Sequence, residues 1–226
     1  MRRNPREWSR QLWESLQFRV QPPNWDTVLG DELEFGIDGI HALSTLLVNS
    51  SNYLEFGSGA STFAAIKQNI HVVTVESDQK FLQAVKRRCL SAETADSSSS
   101  LTFILADIGP TGPWGKPVFP SIPRRSRWRR YPMAPWNELG QDYRADAVLI
   151  DGRFRVACAL AVILQQPDTE WTILVDDYEG RAHYEPISHF ATFVGMRGRM
   201  AQFERNPHAK PQEVSRALEH FTSDWR

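Results

Sequence analysis

The chain has 226 residues, 41% of them apolar, and a formal net charge of −1. That composition excludes a disordered chain and a protein that holds polyanions by bulk charge, and the length suits one domain with one site better than two. The two cysteines, Cys89 and Cys158, sit in apolar segments without the paired spacing of a zinc knuckle or a disulfide framework, which points to a reducing compartment.

Taken in chain order, residues 1–50 read as an N-terminal helical segment. Trp8, Leu12, Leu16 and Val20 share one helical face that Pro22 and Pro23 close, and a second helix covers Gly39 to Val48. Arg2, Arg3 and Arg6 are followed by no apolar stretch, and the longest apolar run, Val156 to Leu164, is too short to span a bilayer. A soluble cytoplasmic protein with no membrane partner is expected. The chain then alternates: strand at Asn52 to Phe56, helix from Ser61 to Gln68, strand at His71 to Val75, helix from Asp78 to about Leu90, strand at Leu101 to Ala106. The serine run Ser97 to Ser100 reads as a connector. Residues 108–140, rich in Pro, Gly, Trp and Arg, show neither helical nor strand period and predict a long insertion loop. A strand at Ala145 to Ile150, a buried helix from about Arg153 to Gln165 and a strand at Trp171 to Val175 follow. The segments around Ala191 to Val194 and Met200 to Phe203 predict an antiparallel hairpin, and residues 206–226 read as a polar tail that ends the fold weakly. The whole is a doubly wound α/β fold over a mostly parallel sheet, a single domain spanning 1–226.

Three strands end in an acid at the carboxyl edge, where ligands bind in such sheets: "YLEFGSGAS" carries Glu55 and then Gly57 and Gly59, "VVTVE" ends in Glu76, and "TFILAD" ends in Asp107. Glycines there let backbone approach a cofactor, and Glu76, nineteen positions after Gly57, is placed to accept bonds from ribose hydroxyls. Glu55 before the turn would crowd a pyrophosphate but suits a cationic ligand. These stretches resemble the successive motifs of class I S-adenosylmethionine-dependent methyltransferases, from about Leu33 to Val194. "DIGPTGPWG" and "VLIDGRFRVACAL" further resemble a bacterial group of methyltransferase-like proteins. The resemblance implies a Rossmann-like seven-stranded sheet and S-adenosylmethionine as cofactor, in a pocket made by Glu55, Phe56, Gly57, Ser58, Gly59, Ser61, Glu76, Asp107, Ile108 and Asp151. Glu55 would lie near the methionine amino group, Glu76 would hold the ribose, and Asp107 and Ile108 would flank the adenine. Ser61 stands where a third glycine is usual.

Asp151 ends the fourth strand and Asp176-Asp177 the fifth, so three carboxylates converge and need compensation. Two readings are open. One is a divalent cation such as Mg²⁺ on Asp151, Asp176 and Asp177, similar to catechol-type O-methyltransferases, although Asp177 replaces an Asn and Arg153 and Arg155 stand where that family has a lysine. The other is that Asp151 caps the following helix and that Arg153, Arg155 or Arg181 pairs with Asp176 or Asp177. Asp151 and His183 are the candidate catalytic residues, His183 as general base because its ordinary pKa is near neutral. The segment "RRSRWRRY", with Arg124 to Arg130 around Trp128, reads as a patch for nucleic acid, as a solvated loop, or as a lid over a small anionic molecule. Trp114, Trp128, Tyr131 and Trp136 read as the wall of an acceptor pocket or as a small core anchoring the loop. The expected activity is O-methylation of a small-molecule acceptor. The alternatives are a non-catalytic nucleotide-binding protein and an RNA-directed methyltransferase. A homo-oligomer is left open.

Overall fold

The computed structural model describes residues 23–92, 100–117 and 126–225. The helix expected over residues 7–20, most of the serine run, and Arg124 and Arg125 lie outside them.

Seven strands form one sheet in the order β3-β2-β1-β4-β5-β7-β6. They are β1 (Asn52–Phe56), β2 (His71–Glu76), β3 (Leu101–Leu105), β4 (Ala147–Ile150), β5 (Thr172–Val175), β6 (Ala191–Arg197) and β7 (Met200–Arg205). The first five run parallel, and β7 joins β5 antiparallel with β6 as the outer strand of the hairpin. The doubly wound sheet with its terminal hairpin is the one the sequence predicts. Successive side chains on a strand point to opposite faces, and the core divides accordingly. Tyr53, Ala147 and Leu149 face the helices α1 (Trp25–Val28), α2 (Gly36–Val48), α3 (Ala60–Ile66) and α4 (Gln79–Ala92). Leu54, Phe56, Val148 and Ile150 face α5 (Arg130–Leu139), α6 (Arg155–Gln165) and α7 (Pro211–Phe221).

Two segments differ from the expectation. The stretch 108–140, read as aperiodic, contains α5. A chain passing from β3 at the sheet edge to β4 beside β1 must cross over β2 and β1, and such crossovers are made by a packed, right-handed connection. Its sequence hid it: Pro132 lies in the first turn, where an N–H has no helical partner anyway, but Pro135 lies in the interior and forfeits a hydrogen bond. The burial of Tyr131, Ala134 and Trp136 against α6 and the sheet outweighs that loss. Trp128, Tyr131 and Trp136 are thus core residues. Trp114 is 75% exposed in a 3₁₀ turn, Pro113–Gly115, with its backbone in the left-handed region at φ 60°.

The polar tail contains α7. Pro211 occupies its first turn, Glu213 lies near the positive end, and Lys210 Nζ reaches Glu213 at 3.0 Å. Only Val214 and Leu218, four residues apart on one face, are buried, and they pack in the core face that α6 occupies. Because that pair carries the docking of α7, Leu218→Ala is expected to cost about 2–4 kcal/mol. A urea titration followed by circular dichroism should show a lower midpoint with an unchanged slope.

Candidate functional site

The carboxyl ends of β1 and β4 meet at the point where the strand order reverses, and glycines let their turns touch. The N–H groups of Asp151 and Gly152 both donate to the Phe56 carbonyl, at 2.9 and 2.6 Å. A Cβ on Gly57, whose φ is +101°, would come within 2.7 Å of the Gly152 nitrogen, and one on Gly152 within 2.2 Å of the Tyr131 hydroxyl. Neither position admits a side chain. At Gly59, by contrast, nothing lies within 4 Å of where a Cβ would be, so the outer side of the turn is open.

Glu55 is fully buried beneath this turn. Its carboxylate accepts from Tyr53 Oη at 3.0 Å, from Ser61 Oγ at 2.7 Å and from Thr62 Oγ1, while Thr62 Oγ1 in turn accepts from the Gly59 N–H at 3.0 Å. Burial raises its pKa above the ordinary carboxylate value, and the hydroxyls of Thr62, Ser61, Thr74 and Tyr53 oppose the rise. Glu55 and Ser61 therefore meet each other, tying the end of β1 to the first turn of α3. Phe56 is also buried, against Tyr131 with ring centroids 6.0 Å apart.

Glu76 stands at the end of β2. Its Oε1 accepts from the Ser77 N–H at 2.5 Å, the Asp78 N–H at 2.9 Å and Ser77 Oγ at 3.1 Å, which fixes the carboxylate plane. Its Oε2 has only the distant Ser58 hydroxyl at 3.5 Å. Burial raises the pKa of Glu76, against the two backbone donors. A cleft of about 530 Å³ opens beside it, lined by Ser77, Asp78, Leu105, Asp107, Gly109 and Thr111 among others. Asp107 accepts from the Gly109 N–H at 2.8 Å and pairs with Arg127 at 3.5 Å, and Ile108 is buried behind it. The 3₁₀ turn closes over the acid: a Cβ on Gly115 would lie 2.9 Å from Ser77 Oγ and 3.9 Å from Glu76 Oε1.

The acids of β4 and β5 do converge, and guanidinium groups fill the space between them. Arg155, 4% exposed at the start of α6, donates to the carbonyls of Gly152, Asp176 and Asp151 and pairs with Asp151 at 3.0 Å and Asp177 at 3.3 Å. Arg199, from the β6–β7 turn, takes both oxygens of the buried Asp176 at 2.8 Å each. Arg181 holds Asp177 at 2.7 Å. Burial would raise Asp177, but Arg155, Arg181 and Arg199 outweigh it and hold its carboxyl below the usual range. Among the described residues no group of three or more His, Cys, Asp or Glu is arranged to hold a metal ion. With Asp176 and Asp177 so engaged, the expected Mg²⁺ ligand set does not fit a divalent cation: arginines pair with both acids, Arg199 rather than an expected one on Asp176, and Asp151 pairs with Arg155 instead of capping α6, which has no side-chain cap.

Asp151 differs from its neighbours. Burial raises its carboxyl; Arg155 pulls it down, and Asp176 and Asp177 push it up, to about 8. It still reaches solvent, with its side chain 34% exposed. His183 lies after β5, half-buried against Tyr184 with ring centroids 4.4 Å apart. In the arginine segment Trp128 is buried against Phe154, so it offers no face on which a base could stack.

Sequence reasoning missed Arg199 and the partners of Glu55. Tyr53 and Thr62 lay within seven residues of Glu55 and could have been found by asking what satisfies an acid on a buried strand. Arg199 carries no local signal, since only the pairing of β7 with β5 brings its turn to the rim.

A reversing parallel sheet with a glycine turn above a buried acid is the frame of the class I S-adenosylmethionine-dependent methyltransferase superfamily, and likeness to a methyltransferase-like protein at 32% identity shows that the chain belongs to it. The chain is 32% identical to a methyltransferase-like protein from Silicibacter pomeroyi DSS-3 over 85% of its own length and 97% of the other's, with a TM-score of 0.76. Magnesium protoporphyrin IX methyltransferase from Synechocystis PCC 6803 shares 11% identity over 91% of this chain and 99% of that one, at a TM-score of 0.47. An N-methyltransferase from Bradyrhizobium japonicum shares 10% over 88% and 97%, at 0.45. At such distances neither bears on what this chain acts on. No family model and no curated protein matches the chain. No helix among the described residues is long and apolar enough to cross a membrane.

Proposed function

We propose that the protein transfers a methyl group from S-adenosylmethionine to the oxygen of a small-molecule acceptor. The observation that carries the reading is Asp151: a solvent-reaching carboxyl, raised to about 8, whose backbone N–H bonds the Phe56 carbonyl beside the glycine turn of the cofactor pocket. Bound at the cleft, S-adenosylmethionine supplies an electrophilic sulfonium methyl. Glu76 Oε2 would accept from ribose hydroxyls, because Oε1 is already committed to the loop. Asp107 and Ile108 would border the adenine. Glu55 is a positioning residue, fixing α3 and the glycine turn from below. Asp151 would take the hydroxyl proton of the acceptor at its carboxylate as the methyl is transferred, while the rim holds the acceptor in line. Arginine pairs, in place of Mg²⁺, balance Asp176 and Asp177 in this reading. His183 is the second candidate base.

Glu76→Ala removes both the ribose acceptor and the anchor of Ser77. Calorimetric titration of the variant with S-adenosylhomocysteine is expected to show affinity about ten- to hundredfold weaker, roughly 1.5–3 kcal/mol. Unchanged affinity would refute the assignment of the pocket.

A further inference from the structure

Four arginines gather around the rim between β4 and β5, and acids account for three. Arg155 serves Asp151 and Asp177, Arg181 serves Asp177, and Arg199 serves Asp176. Arg153, two residues past Asp151, is different. Among the described residues no carboxylate lies within ion-pair distance of its guanidinium, and its Nε is buried with no hydrogen-bond partner. Asp151, the acid in its electrostatic range, already faces Arg155.

A buried donor left without a partner costs on the order of 1–3 kcal/mol, and more for a charged group. Burial and the neighbouring Arg155 both lower the pKa of Arg153, yet a guanidinium stays charged at any physiological pH. The surroundings are those of a ligand site. Its Cγ is 3.8 Å from where a Cβ on Gly115 would lie, in the turn that also closes on Ser77 and Glu76. Tyr131 and Tyr184 are its other electrostatic neighbours, and both are buried aromatic walls.

We infer that Arg153 is an anion receptor: it takes a carboxylate or phosphate group of a small molecule bound at this rim. The planar guanidinium fits two oxygens of either group. Resting on the reading above, the anion belongs either to the methyl acceptor, whose class is then anionic, or to the amino-acid end of the cofactor.

Calorimetry and thermal melts on the full chain test this with Arg153→Gln and Arg153→Lys. S-adenosylhomocysteine and 5′-methylthioadenosine, which lacks the amino-acid carboxylate, are titrated separately. Inorganic phosphate is added to the S-adenosylhomocysteine-saturated protein against sodium chloride of equal ionic strength. If the acceptor supplies the anion, phosphate raises the melting midpoint of the wild type, Arg153→Gln abolishes the rise, Arg153→Lys restores part of it, and S-adenosylhomocysteine affinity is unchanged. If the cofactor supplies it, Arg153→Gln weakens S-adenosylhomocysteine about tenfold or more and leaves 5′-methylthioadenosine unchanged. Either result supports the receptor. Equal responses of wild type and Arg153→Gln to all three probes overturn it, as does a drop in the unliganded midpoint of Arg153→Gln without any change in ligand response. Failure of the wild type to bind either nucleoside defeats the cofactor reading instead, and phosphate is then added to the unliganded wild type and Arg153→Gln, where equal responses overturn the receptor and a rise confined to the wild type supports it.

Discussion

Replacing Asp151 by asparagine is expected to slow methyl transfer about 10²- to 10⁴-fold, the range over which a positioned base contributes, while S-adenosylhomocysteine affinity stays near wild type. The substitution is mild by geometry. The amide oxygen can still accept from Arg155, whose bond to Asp151 Oδ1 is 3.0 Å, so the turn keeps its shape and only proton acceptance is lost. The wild-type rate should climb about tenfold per pH unit below the pKa and level off above it, because the carboxyl, raised to about 8, holds its proton at neutral pH and must release it to act. The groups that set this value face it from four sides. Arg153 and Arg155 lie at the start of α6, Asp176 and Asp177 beyond β5, Arg199 on the hairpin, with Tyr53 on β1. The measurement is initial-rate methyl transfer from labelled S-adenosylmethionine, to an acceptor found by screening hydroxyl compounds, between pH 6 and 10. A rate in Asp151→Asn with the same pH profile as the wild type would remove Asp151 from the chemistry.

The second large effect concerns the fold. Arg155→Met keeps an unbranched apolar stem but deletes the charge that pairs with Asp151 and Asp177 and bonds three carbonyls. Removing one partner of a buried ion pair leaves the other uncompensated and typically costs 3–5 kcal/mol. For a chain of this length that is a fall in melting midpoint of roughly 6–20 °C. A differential scanning calorimetry trace unchanged within a degree would show that Arg181 and Arg199 suffice.

Much of this could be read in advance where one physical requirement dominates. The strands "NYLEF", "HVVTVE" and "LTFIL" stand out because a parallel sheet covered on both faces needs unbroken apolar runs between turns. The glycine turn and Glu76 were legible for a similar reason: close backbone approach and an acid at a strand end restrict residue types locally. Helix α5 was not, because Pro132 and Pro135 suppress the helical signal and tertiary burial of Trp136 and Tyr131 overrides it. Helix α7 was not, because two buried residues in eleven leave a segment that looks solvated. The rim was half legible. Three converging carboxylates announce a need for positive charge, but the choice between a cation and guanidinium depends on Arg199, which reaches Asp176 through β7 pairing with β5. Nothing in the neighbourhood of "VDDY" could have supplied it.

The clamp of Arg199 on Asp176 also sets an order of events during biosynthesis. The carboxylate is made twenty-three residues before the guanidinium that neutralises it. A chain synthesised through Asp176 already contains every parallel strand, the glycine turn and Arg155, but not the guanidinium that takes both oxygens of Asp176. Burial of the Asp176 carboxylate is therefore expected to wait for the hairpin, because an uncompensated charge is costly in the interior.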